Sequence, residues 1–217
     1  MNIEQARFNM IEQQIRPWDV LNQTVLDLLH SVKREEFVPE NYRTLAFVDM
    51  EIPLGHGQAM LSPKLEARIL QELAVTKTDR ILEIGTGSGY LTALLATLGK
   101  HVYSVDIVAD FKTLASARLH THGITNISLE IGDAACGWSA YGKYDVIVIT
   151  GSTPILPENF IHDLNPGGRL FAITGDAPAM TAKLITCVST GTYRTITLFE
   201  TNVPPLKNAM QPERFVF

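Results

Sequence analysis

Arg80-Ile-Leu-Glu-Ile-Gly-Thr-Gly-Ser-Gly-Tyr90 decides how the rest of the chain is read. Ile81, Leu82 and Ile84 make a short apolar run, as a parallel strand buried on both faces requires. Gly85, Gly87 and Gly89 alternate after it, and Leu91 to Leu98 then carries the apolar face of a helix. Strand, glycine turn and helix in that order bring bare backbone N–H groups and a helix N-terminus to one point. That arrangement suits a nucleotide-like ligand.

The spacing narrows the ligand. A dinucleotide fingerprint, G-x-G-x-x-G, needs glycine at position 90, where this chain has Tyr90. The pattern is instead Glu-x-Gly-x-Gly-x-Gly, with Glu83 two residues before Gly85. A carboxylate there repels a phosphate and attracts a cation. S-adenosylmethionine, with an ammonium and a sulfonium, fits that description, and the pattern resembles the first motif of the Rossmann-type methyltransferases. The plain alternative is a tight turn with no ligand, but clustered glycines cost conformational entropy without a packing return.

Working outward, composition sets the frame. The chain has 217 residues, 46% hydrophobic and 19% charged, which suits one globular domain with a sizeable core. The net charge is −5 and no basic block stands out, so no nucleic-acid partner is expected. Cys136 and Cys187 match no zinc or redox spacing, and His120 and His122 do not share a helical face, so no metal is expected. The N-terminus lacks the basic and apolar regions of a signal peptide, and no apolar run is long enough to span a bilayer. Free thiols and a cytoplasmic location are the expectation.

Before the glycine motif the chain is mostly helical. Ile3, Ala6, Met10, Ile11 and Ile15 recur at helical spacing, and Arg16-Pro17 is expected to end that helix. Val20 to Val32 is a second helix and Asn41 to Phe47 a short third, together forming a helical cap on one edge of a sheet. Ile52 to Gln58 fits no periodicity and is expected to be a loop, with His56 between two glycines as a substrate-side candidate. Ser62 precedes Pro63 and suits the N-cap of a helix from about Lys64 to Leu73; a plain cap is the favoured reading and a catalytic role the alternative.

After the motif, strands and helices alternate. His101 to Asp106 is a strand whose terminal Asp106 lies about 20 residues past Gly85, the spacing at which an acid holds ribose hydroxyls. Ile107 then lies against the adenine face. Ala109 to Thr121 is a helix and Ile127 to Ile131 a strand, with Asp133 just beyond it as an acceptor for an adenine amino group. Tyr144 to Thr150 is a buried strand whose C-terminal end offers Thr150, Ser152 and Thr153 to the crevice, or to ordinary turn chemistry. A helix from Phe160 to Leu164 stops at Asn165-Pro-Gly-Gly168, and Arg169 to Thr174 is a further strand. Ala182 to Ser189 and Tyr193 to Glu200 form a hairpin. The tail from Val203 has no pattern.

The expected fold is therefore α/β: a Rossmann-like, mostly parallel sheet with a C-terminal antiparallel hairpin and an N-terminal helical cap. Residues 1–217 form one domain, divided into cap and substrate-side loop (1–75), core (76–200) and tail (201–217).

A specific family resemblance rests on these stretches. Leu-Gly-His-Gly-Gln followed by Pro63, Leu-Glu-Ile-Gly-Thr-Gly-Ser-Gly-Tyr, Gly132-Asp133, Val-Ile-Val-Ile-Thr150 and Leu-Asn-Pro-Gly-Gly-Arg-Leu resemble the protein-L-isoaspartate O-methyltransferases. Arg34-Glu-Glu-Phe-Val and a match at Arg214-Phe-Val resemble them too. The resemblance implies S-adenosylmethionine as cofactor and an isoaspartyl carboxylate in damaged protein as acceptor. It implies that Gln58, Met60 and Leu61 pass the methionine end of the cofactor. Glu83, Gly85, Thr86, Gly87, Ser88, Gly89, Asp106, Ile107, Asp133 and Ala134 would hold the rest. One departure is sharp. The family's loop carries Thr-Ile-Ser, with its serine hydroxyl implicated in the reaction, whereas this chain has Ala59-Met60-Leu61 and Ser62 one position late. That departure keeps two alternatives open: the same fold with another acceptor, or a non-catalytic cofactor-binding module. Glu83 and Tyr90 oppose a nicotinamide dehydrogenase.

Overall fold

The computed structural model describes residues 2–213, so Arg214-Phe-Val lies outside the described residues. Helix α1 (Ile3–Met10) is N-capped by Asn2, whose side chain accepts from the Gln5 N–H. The chain continues through a wide π turn (Ile11–Ile15) and a 3-10 turn (Arg16–Trp18) and breaks at Asp19, φ 59°. Arg16 thus stays helical despite Pro17, because the wide turn ahead of the proline accommodates its missing N–H. Helix α2 (Gln23–Ser31) starts later than its apolar pattern, since the Asn22 side chain accepts from the Thr24 and Val25 N–H groups and fixes the N-terminus there. The expected third helix is a 3-10 segment, Glu40–Leu45.

Ile52 to Gln58 is ordered as a hairpin. Strands β1 (Ile52–Gly55) and β2 (Gln58–Met60) pair antiparallel around His56-Gly57. His56 at φ 55° and Gly57 at φ 71° give the two left-handed residues of a type I′ turn, a signal of turn geometry that hydrophobic periodicity does not carry. Helix α3 (Pro63–Leu73) follows, with Pro63 in its first turn.

The core sheet has seven strands: β3 (Arg80–Ile84), β4 (His101–Asp106), β5 (Ile127–Ile131), β6 (Tyr144–Thr153), β7 (Leu164–Thr174), β8 (Met180–Ser189) and β9 (Thr192–Thr201). Their order is β5-β4-β3-β6-β7-β8-β9, parallel up to β7 and antiparallel for the last two pairs. Helices α4 (Tyr90–Leu98), α5 (Ala109–Thr121) and the short α6 (Glu158–His162) connect parallel strands. Beyond one or two residues at the hairpin ends, β6 and β7 outrun the expectation. β6 continues to Thr153 because the tail pairs with it: the Ser152 N–H donates to Pro204 O and the Leu206 N–H to Ser152 O. β7 begins at Leu164, so Asn165 to Gly168 are strand and not a helix stop; the Tyr144 N–H donating to Asp163 O starts the pairing there.

The N-terminal helices cover a face of this sheet, not an edge. Met10, Ile15, Leu26, Leu29 and Phe37 share one apolar cluster with α3, α4 and the sheet residues Ile81, Val102, Val146 and Phe171. The opposite face buries Leu82, Ile84, Ile147, Phe160 and Leu170. Ile81 and Leu82 point to opposite faces, as the period-2 pleat demands.

Candidate functional site

Strand order reverses between β3 and β6, and the crevice that α/β sheets use for ligands opens there, outside the carboxyl ends of the strands. A cavity occupies that place. Its floor is Gly85 to Ser88 and Thr150-Gly151, one side is Asp106-Ile107 and Gly132 to Ala135, and the other side is Leu54 with Gln58 to Leu61.

The glycine turn is shaped by close contacts. Gly85 has φ 96°, and a Cβ there would collide with Thr150 Oγ1, which donates to Ile84 O (2.8 Å). Gly89, at φ 82°, caps α4 and faces Ala115 of α5, 3.0 Å from where its Cβ would be; it serves packing and does not line the cavity. Asp106 joins the turn to β4. Its Oδ2 accepts from the Gly87 N–H (2.9 Å) and its Oδ1 from the Val108 N–H (2.8 Å). Each carboxylate oxygen keeps a lone pair for a further donor. Asp133 accepts from the Ala135 N–H and from Asn208 Nδ2 (2.7 Å), which ties the tail to the cavity.

Several expectations need correction. Glu83 does not line the cavity. The pleat places it with Ile81 on the cap face, where its Oε2 accepts from Thr92 Oγ1 and Ser104 Oγ, while Oε1 has no partner. Burial pushes its carboxyl up to about 8, so it is mostly neutral near pH 7. It reaches the site only indirectly: Ser104 Oγ also bonds Thr86 Oγ1 (2.6 Å) beneath the glycine turn. The glutamate that does line the cavity, beside Asp106 and Asp133, is Glu66, in the first turn of α3. It pairs with the fully buried Arg34, and burial outweighs that pairing, raising its carboxyl to about 7.

Ser152 and Thr153 are fully buried; their hydroxyls donate to Val203 O and Ile155 O, and neither residue lines the cavity. Thr150 does. Ser62 occupies the N-cap position of α3, but its hydroxyl makes no capping bond and it is not among the lining residues. His56 sits at the exposed hairpin tip, 2.9 Å from Asp110 through Nε2, outside the lining. Gln58, Met60, Leu61, Thr86, Gly87, Ser88, Ile107 and Ala134 all line the one cavity.

The sequence reading missed the tail. Pro204, Leu206 and Lys207 line the cavity, and Leu206 passes so close to Gly151 that a Cβ there would lie 2.9 Å from its side chain. A glycine at a strand end was the one available signal of such close backbone approach.

Residues 5–193 match the family model for Protein-L-isoaspartate(D-aspartate) O-methyltransferase. The chain belongs to this family. A family protein from Methanoculleus marisnigri is 38% identical over 169 residues, covering 78% of this chain and 77% of that one. One from Opitutus terrae is 34% identical over 217 residues, covering 98% and 88%. Both are protein-L-isoaspartate O-methyltransferases. A Plasmodium falciparum protein described as a beta-aspartate methyltransferase and solved with S-adenosyl-L-homocysteine shares the fold, with TM-score 0.78 at 19% identity over 95% of this chain and 98% of its own.

The cavity of this family member fits S-adenosylmethionine, the cofactor of its family. Asp106 presents two carboxylate acceptors beside the glycine turn, and Met60, Leu61, Leu91 and Phe111 give the lining apolar surface. No helix among the described residues is long and apolar enough to cross a membrane.

Proposed function

We propose that this protein transfers a methyl group from S-adenosylmethionine to an isoaspartyl carboxylate in damaged protein, as its family relatives are named for doing. The observation that carries the reading is the cavity at the β3–β6 switch point, with Asp106 bonded to the glycine turn at one end and the hairpin loop at the other. Within it, Asp106 takes the ribose hydroxyls, Ile107 the adenine face and Asp133 with Ala134 the adenine edge; Gln58 to Leu61 pass the methionine end.

When bound, the cofactor supplies a methyl already activated by its sulfonium. An acceptor carboxylate is ionised at neutral pH and needs no general base. The work left to this chain is to align the acceptor, exclude water and hold the ligand. Ala59 and Leu61 give the acceptor no hydroxyl donor. One lost hydrogen bond to a charged group costs about 1.5–3 kcal/mol, so turnover is expected to be slow. The loss of both hydroxyls also favours a second reading, a methyltransferase of this fold with another acceptor. Two exposed or buried but unpaired thiols, Cys136 and Cys187, support a reducing, cytoplasmic setting.

Labelled S-adenosylmethionine and an isoaspartyl peptide test the proposal. A base-labile methyl ester is the expected product. Its absence at high enzyme concentration, with label transferred to another acceptor in a lysate, replaces the first reading with the second.

A further inference from the structure

Arg34 is fully buried, yet every partner of its guanidinium lies on a different segment. Nε donates to Ala46 O (3.0 Å) at the end of the 3-10 segment. Nη2 donates to Leu61 O (2.7 Å) in the loop leaving the hairpin, and Nη1 donates to the Glu66 carboxylate on α3. Its cationic carbon lies 5.3 Å from the ring centroid of Tyr90, the residue that starts α4 directly after the glycine turn. Leu61 and Glu66 line the cavity; Arg34 does not.

A buried ion pair is a poor device for stability, because apolar side chains of similar volume usually replace it without loss. A planar guanidinium is, however, a good device for geometry, since its donors leave in fixed directions. Here those directions tie the loop, α3 and the cap to one another, with the group set against the first residue after the glycine turn. We infer that Arg34 is a positioning residue that fixes the loop Ala59–Leu61 relative to the glycine turn, so that the N-terminal cap sets the width of the cavity. The inference takes only its probe ligand from the proposed function.

The cap contains a contrasting pair. Arg7 and Glu35 are also buried and bonded to each other, and Arg7 bonds further to Glu4, which does not line the cavity. Breaking that pair is expected to perturb the cap and leave the loop as it is.

The test uses the full chain as Arg34→Lys, as the apolar pair Arg34→Met with Glu66→Leu, and as Glu35→Gln. Each is followed by thermal melting, by hydrogen exchange at the amides of residues 59–61 without ligand, and by calorimetric titration with S-adenosylhomocysteine. Arg34→Lys is expected to speed exchange in the loop and weaken binding about tenfold, the equivalent of one charge-assisted bond. The apolar pair is expected to melt near the wild-type temperature and still exchange faster and bind more weakly. Glu35→Gln is expected to melt lower with loop exchange and affinity unchanged. Wild-type loop exchange in both Arg34 variants overturns the inference, as does a Glu35→Gln loop that loosens equally. If the wild type binds no S-adenosylhomocysteine, the proposed function fails, and loop exchange still decides the role of Arg34.

Discussion

The two ends of the cavity are built differently. At the end proposed for the nucleoside, the glycine turn, Asp106 and Asp133 each sit at the carboxyl end of a strand, and sequence-local rules place them. At the end proposed for the acceptor, the hairpin loop and the first turn of α3, consecutive in the chain, meet the tail from the far end of the sequence, with Arg34 bonded to Leu61 and the tail paired to Ser152. The first end is a motif; the second is a meeting of surfaces. On the proposed reading, an enzyme built this way keeps its cofactor chemistry while the acceptor end changes, and Ala59 and Leu61 are a change of that kind.

The nucleoside end can be broken most completely at Gly85. Gly85→Val puts a branched side chain into Thr150 at a φ of 96°, and binding of S-adenosylhomocysteine is expected to fall below detection in calorimetry, about 100-fold or more. Asp106→Ala removes the acceptor of the Gly87 N–H and of the proposed hydroxyls, and about 2–3 kcal/mol of binding is expected to go with it. Affinity within twofold of wild type would dissociate Asp106 from the ligand.

The acceptor end sharpens the contrast. Ala59→Thr with Leu61→Ser is expected to raise methyl-ester formation on an isoaspartyl peptide roughly tenfold, about one hydrogen bond to a charged group, with S-adenosylhomocysteine affinity unchanged. No gain in rate would mean that the missing hydroxyls are not what limits this enzyme.

Glu83, buried beneath the glycine turn, gives the fold a pH dependence. Its folded-state carboxyl is raised from 4.5 to about 8, so the native protein binds the extra proton between those values and stability falls as pH rises. The contribution is complete below about pH 4.5 and lost through about 8; Glu66 acts in the same direction through about 7. While a group titrates, the slope reaches about 1.4 kcal/mol per pH unit. Calorimetric melting from pH 5 to 9 should show Glu83→Gln declining less than wild type, and parallel curves would show that Glu83 is already ionised in the folded protein. The smallest effect is expected at Asn208. Asn208→Ala frees the tail from Asp133 and should weaken S-adenosylhomocysteine binding by about 0.5–1.5 kcal/mol.

The match between sequence and structure follows the same division. His101 to Asp106, Ala109 to Thr121 and Ile127 to Ile131 occupy their expected ranges because apolar periodicity and flanking turns act within each segment. The hairpin at 52–60 escaped because its signal is the backbone angles of His56 and Gly57. The extensions of β6 and β7 escaped because their pairing partners are distant. Glu83 was placed against the ligand by charge alone, whereas strand alternation turns it beneath α4.

Taken by itself, the order of residues determined the parallel sheet and the glycine turn with Asp106, because each depends on short-range periodicity and spacing, while the methyl-transferring family was reached through the resemblance of its motifs. Only tertiary packing decided that Glu66 and not Glu83 faces the cavity, that Ser152 is sealed inside, and that the tail forms a wall. Those outcomes depend on which face a side chain takes and which distant backbone pairs with it, and no local pattern encodes either.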